Sequence, residues 1–204
     1  MTALRIAALF LALSPALSRA LDAPSDEPQR RYWIGSSMFV LANLAPGSEP
    51  PDFFQVNLGF RLTPRDSLSI EAVTWRYHRP LGIPWGSDQS GAGTAYPGSV
   101  RESGAGIAYQ RFFWKGLYGS LSGLALRREF QDPGGTSLAR GFQLFLTLRI
   151  GYHVRLMKRF FLEPSIAATA WPISTGAPAG FAVQDRRWPS WFLAEPGLHF
   201  GVEY

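Results

Sequence analysis

Three histidines, His78, His153 and His199, are the neutral-pH bases of the chain. A serine nucleophile needs such a base within hydrogen-bond reach. No serine stands two residues from any of them: at that spacing His78 is followed by Pro80, His153 by Arg155 and His199 by Gly201. Three dispersed histidines give no zinc-ligand spacing. The sequence has no cysteine, which removes thiolate metal sites, a thiol nucleophile, a disulfide scaffold and a lipoprotein anchor. The chemistry that remains is ionic. Glu71, Glu102, Glu163, Glu195 and Glu203, with Arg61, Arg149, Arg155, His153 and His199, recur at alternate positions among apolar neighbours. Gathered on one side of a sheet they form a paired network, because an unpaired buried ion costs several kcal/mol. No catalytic residue, cofactor or metal is expected, and the chain reads as a non-enzyme.

A period of exact alternation is what can gather them. From Gly141 to Lys158, Phe142, Leu144, Leu146, Leu148, Ile150, Tyr152, Val154 and Leu156 share one parity. Gln143, Thr147, Arg149, Gly151, His153 and Arg155 share the other, with Phe145 the large exception. A period of two over this length is a long strand. The same pattern runs through Phe160–Trp171, Phe192–Tyr204, Phe54–Leu62, Leu68–Val73 and the region around Ala105–Gln110. It is weaker in Tyr32–Asn43 and in Leu117–Glu129, where Gly119 and Gly123 fall on the apolar parity. The reading is eight strands.

The links between them alternate long and short. NLAPGSEPPD, the stretch from His78 to Pro97, QDPGGTSLARG and the stretch from Ile173 to Ser190 are the longer ones. LTPRDS, FFWKG and MKR are the short ones. Short turns at one end and long loops at the other characterise bacterial outer-membrane barrels. Counting back from MKR brings His153 beside Glu163, and Arg61 is expected diagonally across LTPRDS from Glu71.

Residues 1–20, MTALRIAALFLALSPALSRA, follow the grammar of a secretory signal peptide cut after Ala20. The apolar run from Ile6 to Leu13 is too short to span a bilayer, which takes about 20 residues. Residues 21–31 read as a loose periplasmic leader, leaving 32–204 as one domain. With 46% hydrophobic and 17% charged residues among 204, the chain can bury too much apolar surface to be disordered. The net charge of +5 is scattered rather than blocked, so no nucleic-acid partner is expected.

The apolar parity must face outward, because a narrow eight-stranded bore is already filled by ordinary side chains. Phe, Leu, Ile and Val from every strand would overfill it, whereas Gly59, Gly104, Gly106, Gly151, Gly197 and Gly201 suit it. Trp33, Trp75, Trp114, Trp171 and Trp191 sit near segment ends, where interfacial girdles belong, and Trp85 and Trp188 sit in long links. The last strand, FLAEPGLHFGVEY, ends in the aromatic Tyr204.

On these residues the sequence resembles the small outer-membrane barrels of the OmpA, OmpX and OmpW kind. The resemblance implies an eight-stranded antiparallel up-and-down transmembrane β-barrel with short periplasmic turns and longer extracellular loops. It implies a bacterial outer-membrane monomer in contact with lipid and lipopolysaccharide. It also implies that Phe200, Val202 and Tyr204 form the signal read by the barrel-assembly machinery, where most relatives end in Phe rather than Tyr. Some barrels of this size are lipid A deacylases with His and Ser two residues apart, a spacing this chain lacks.

Arg76, Arg79, Arg101, Arg127, Arg128, Arg140, Arg186 and Arg187 fall near the long-loop rim. There they could meet lipopolysaccharide phosphates, since Arg pairs bidentately with phosphate. The stretch WRYHRPLGIPWG enters the longest loop as a lid over the mouth or as a contact surface. The role expected is envelope support or surface recognition, with paired charges closing the bore. The alternatives are a narrow passage for small apolar compounds, which needs an opening in the wall, and an enzyme acting on lipid A or phospholipid.

Overall fold

The computed structural model describes residues 30–44, 50–78, 98–186 and 189–204. Its strands are β1 (Tyr32–Ser37), β2 (Phe54–Arg61), β3 (Asp66–Tyr77), β4 (Ser99–Trp114), β5 (Leu117–Gln131), β6 (Ser137–Tyr152), β7 (Val154–Arg155), β8 (Phe160–Ser174) and β9 (Trp191–Glu203). A 3-10 helix, Met38–Leu44, follows β1, and a short α-helix, Ala179–Asp185, lies between β8 and β9. All the strands belong to one antiparallel sheet. Because β9 pairs with β1, and β6 and β7 both pair with β8, its hydrogen bonds run round a closed ring.

Nine strands occupy eight positions in that ring. The stretch expected as one strand breaks at His153, whose backbone N–H goes instead to the Gly116 carbonyl in the turn between β4 and β5. The register on β8 does not change across the break: Gly151 faces Ser165 and Val154 faces Leu162. That neighbouring turn is tight because Lys115 and Gly116 both take positive φ, which joins twisted strands with two residues.

The first strand is shorter than its alternation suggests. It stops at Ser37, whose hydroxyl accepts the Phe39 N–H. Asn43 then clamps the Phe53 backbone with two hydrogen bonds of 2.8 Å, holding Met38–Leu44 as a 3-10 helix. In consequence β1 faces β9 only from Trp33↔Glu203 to Ser37↔His199. Among the described residues the rest of β9, Trp191–Leu198, pairs with β8 alone. Tyr204 exchanges bonds with Tyr32, so the even positions from there back to Pro196, ahead of the bulge in β9, point to the β1 side. Pro196, which has no N–H to offer, is one of them. An extra residue around Ala194, at φ 61°, bulges β9 just beyond it.

Outward positions carry the apolar side chains: Ile70, Ile107, Leu121 and Leu148 are each more than half exposed. The bore is less polar than the alternation suggested. Phe53, Val73, Trp75, Leu124 and Leu126 form a buried apolar layer inside it, and Phe145 packs against them. Three of the expected girdle tryptophans belong to this interior. Trp75 stacks on Phe53 at 6.3 Å, and Trp33 meets Phe161 edge-on at 5.9 Å. Trp171 also turns inward, stacking on Phe145 at 6.1 Å, while Trp114 and Trp191 are exposed. Large rings fit because facing strands contribute glycine: a Cβ on Gly59 would sit 1.8 Å from the Trp33 ring.

Candidate functional site

The densest polar cluster fills the bore at the short-turn end. Glu203 on β9 is its hub: Oε1 lies 3.0 Å from Arg61 Nη2, Oε2 lies 3.1 Å from Arg155 Nη2, and His153 Nε2 is 3.6 Å away. His153 Nδ1 in turn lies 2.8 Å from Glu163 Oε1, which also accepts a 3.0 Å hydrogen bond from Gln110. Aromatic rings frame the charges. His153 stacks on Phe161 at 4.8 Å and meets Phe112 edge-on, and the Arg61 guanidinium lies 4.9 Å over Phe112. Side chains from β2, β4, β7, β8 and β9, with His153 between β6 and β7, together hold these ions.

Arg61 is not a partner of Glu71, as the turn alone had suggested. In register Arg61 faces Ser67 and Glu71 faces Asn57, four residues further along, so Arg61 reaches across β1 to Glu203 instead. Glu71 belongs to a second group around Arg149, whose Nη1 lies 3.3 Å from His199 Nε2. Arg149 is also the cation within electrostatic reach of Glu71 and Glu195. Glu195 remains exposed beside the β9 bulge, opposite Ala167. A cavity of about 30 Å³ lined by Asn57, Glu71, Tyr118, Arg149 and His199 separates the groups. It has room for a water or two.

A third group, towards the long connections, corrects the reading of Arg128. Placed at the outer rim by its position in the sequence, Arg128 is only 5% exposed and points into the bore. Its Nε lies 2.8 Å from Glu102 Oε1, and it also bonds the Ser174 hydroxyl. The guanidinium sits over Phe130 and Phe181, and Val100, Phe130 and Phe181 form an apolar cluster around the ion pair. Phe181 comes from the short helix between β8 and β9, so a connecting segment completes this group. Sequence carried a signal for it: Leu124, Leu126, Arg128 and Phe130 share one parity, and that parity is the inward one on β5.

The other arginines of the rim distribute differently. Arg76 pairs with Asp52 at 3.1 Å, while Arg101, Arg127 and Arg140 are exposed on the outward face. Arg186 is exposed just past the short helix, and Arg79 and Arg187 lie outside the described residues. So does most of WRYHRPLGIPWG, along with Trp85 and Trp188. Phe200 and Val202 occupy alternate positions of β9, and Tyr204 stacks on Tyr32 at 6.3 Å.

The arrangement is that of a filled bore: salt bridges at the short-turn end, an aromatic layer, and a covered ion pair towards the long connections. Among the described residues no three His, Asp or Glu side chains group as metal ligands. Compared with known proteins, the chain matches no family model, no curated protein and no solved structure.

Proposed function

We propose that the chain is an integral bacterial outer-membrane protein, an up-and-down transmembrane β-barrel whose bore is closed by paired charges. Its role is non-enzymatic, in envelope support or surface recognition. In this reading residues 1–20 direct export, and Phe200, Val202 and Tyr204 present the last strand to the assembly machinery. The monomer sits among lipid and lipopolysaccharide.

One observation carries the proposal. On the outward face, Asp66 opposite Arg111 and Arg76 opposite Arg101 are two charged rows ten residues apart along β3. At about 3.3 Å per residue they are about 33 Å apart along the strand, and a tilt near 40° leaves about 25 Å of height, the apolar band of a membrane barrel. Between them the rows Leu68–Tyr109–Leu121–Leu148, Ile70–Ile107–Gly123–Leu146 and Ala72–Ala105–Ala125–Leu144 carry no charge, and the row next to Arg76, Thr74–Ser103–Arg127–Phe142, carries one, Arg127. Leu58, Ile150, Phe160 and Ile166 extend the exposed apolar surface round the ring. Soluble monomers rarely expose a contiguous apolar patch beyond a few hundred Å².

SDS-gel mobility with and without boiling tests the reading. The folded chain, extracted only with detergent, is expected to resist SDS unboiled and to migrate anomalously. A chain that is folded and monodisperse in buffer alone would overturn it.

The edge of β9 that has no strand partner among the described residues supports a second reading, a narrow passage for small apolar compounds. Within hydrocarbon, an unbonded backbone edge is tolerated where it lines a cavity or is covered by protein. The stretch Trp191–Leu198, with Pro196 on the open side, marks a place where the wall could admit a solute sideways. Uptake of an apolar dye into liposomes carrying the protein favours passage, and indifference favours the closed barrel. Hydrolysis of labelled lipid A, if seen, would move the protein to the enzyme class.

A further inference from the structure

The outward face of β3 to β6 carries a basic row that none of the bore chemistry uses. Arg76 stands directly opposite Arg101, Arg101 opposite Glu129, and Glu129 opposite Arg140. Arg127 lies one outward position closer to the middle of the wall, between Ser103 and Phe142. Like charges directly opposite one another destabilise a strand pair. Arg76 is tied to Asp52 at 3.1 Å, whereas among the described residues Arg101, Arg127 and Arg140 make no ion pair. Four guanidinium groups thus share two carboxylates, Asp52 and Glu129, and cations outnumber anions on this part of the wall.

The surface beneath it is shaped differently from the rest of the wall. Ala72, Ala105 and Ala125 stand side by side on three strands, with Gly123 next below Ala125. All three alanines are exposed. Phe54 and Val56 on β2, and Phe142 and Leu144 on β6, stand taller on either side. A shallow apolar trough therefore opens directly under unpaired guanidinium groups.

We propose that this row and trough form a binding site for a phosphorylated lipid in the leaflet facing the long connections. Its phosphate bridges Arg101 to Arg76 or Arg127 through paired N–H donors, and an acyl chain lies over Ala105 and Ala125. An anion between Arg76 and Arg101 turns the opposed charges from a repulsion into a clamp. The apolar trough selects a lipid over free phosphate. The inference rests on the membrane reading above and adds to it a defined ligand class and address.

The test uses the full chain folded in non-ionic detergent, with R101A/R127A and R101K/R127K variants whose changes lie outside the bore. Their folding is checked by unboiled gel mobility. The probes are diphosphorylated lipid A, the same lipid after removal of its phosphates, and inorganic phosphate, with retention read by native mass spectrometry. Wild type is expected to retain the diphosphorylated lipid about tenfold better than the dephosphorylated one. The alanine variant should lose that preference. The lysine variant should keep only part of it, since a point charge does not replace a bidentate fork. If the alanine variant does not fold, the lysine variant carries the comparison. Equal retention of both lipids, or variants indistinguishable from wild type, overturns the site. Displacement of the lipid by inorganic phosphate at equal concentration also overturns it, by making free phosphate the ligand. The membrane reading fails separately, through a folded chain that needs no detergent.

Discussion

Glu203 on β9 and Arg61 on β2 are ion-paired at 3.0 Å although β1 lies between their strands. The pair bridges the inside of the ring where its first and last strands meet, so it reports directly on closure. Both side chains are less than a tenth exposed. Breaking a buried pair by removing one partner costs about 3–5 kcal/mol, because a charge is left uncompensated. Glu203→Gln leaves both Arg61 and Arg155 without their carboxylate, so it should destabilise more than Arg61→Met does. The temperature at which the folded gel band is lost measures both, and equal values for the two variants would contradict the hub role of Glu203.

Arg149→Ala should lower that same temperature without opening a pore. Among the described residues Arg149 makes no close carboxylate contact; it faces His199 at 3.3 Å and acts on Glu71 and Glu195 through space. Its loss leaves those carboxylates poorly compensated, yet the Glu203 cluster and the aromatic layer still fill the bore on either side. Planar-bilayer recordings are expected to stay silent. New channels would mean that Arg149, rather than those layers, is what closes the protein.

The two faces of this fold differ in how legibly the sequence records them. Outward alternation was plain in Phe142–Ile150 and in Leu198–Tyr204, where large apolar side chains recur at every second residue, whereas the bulge around Ala194 shifts it, so that Trp191 and Leu193 are exposed in place of Phe192. His153 and Glu163 could be aligned because a short turn fixes the register between them. The interior was harder to read. Trp33 and Trp75 carry the same residue type as a girdle but lie on the inward parity, and what admits Trp33 is Gly59 on the neighbouring strand, a relation between distant positions. Arg128 resembles Arg127 in composition and differs from it only by parity, which inverts their environments. The end of β1 depends on Asn43 finding the Phe53 backbone, which no local pattern in Tyr32–Asn43 announces.

Gly59 is required by packing rather than by backbone conformation. A Cβ there would lie 1.8 Å from Cε2 of Trp33, whose Nε1 is held by a 3.1 Å hydrogen bond to Ser67. The ring is wedged against Phe161 on its other side and has little freedom to retreat. Gly59→Ala should therefore destabilise by about 1–3 kcal/mol, the usual range for overpacking. Combining it with Trp33→Leu should recover part of the loss. Urea midpoints in detergent for the two single variants and the double one decide the point: simple additivity would show that the ring and the glycine are not coupled.

Asp66 opens β3 at the charged row that bounds the apolar band, and it gathers three partners from the turn and from β4. It accepts hydrogen bonds from the Thr63 and Tyr109 hydroxyls and pairs with Arg111 at 2.7 Å. The Thr63 and Tyr109 bonds, then the Arg111 charge, hold its carboxyl below the ordinary carboxylate value. A group depressed on folding contributes stability above its unfolded pKa and loses it as pH falls through the folded one. Wild type should thus outlast Asp66→Asn in urea at about pH 7, and the two should converge near about pH 2. Deleting the hydroxyl with Tyr109→Phe should narrow the gap at neutral pH without removing it, because Thr63 and Arg111 remain. A gap that persists unchanged in acid would mean that Asp66 supports this turn by shape, not by charge.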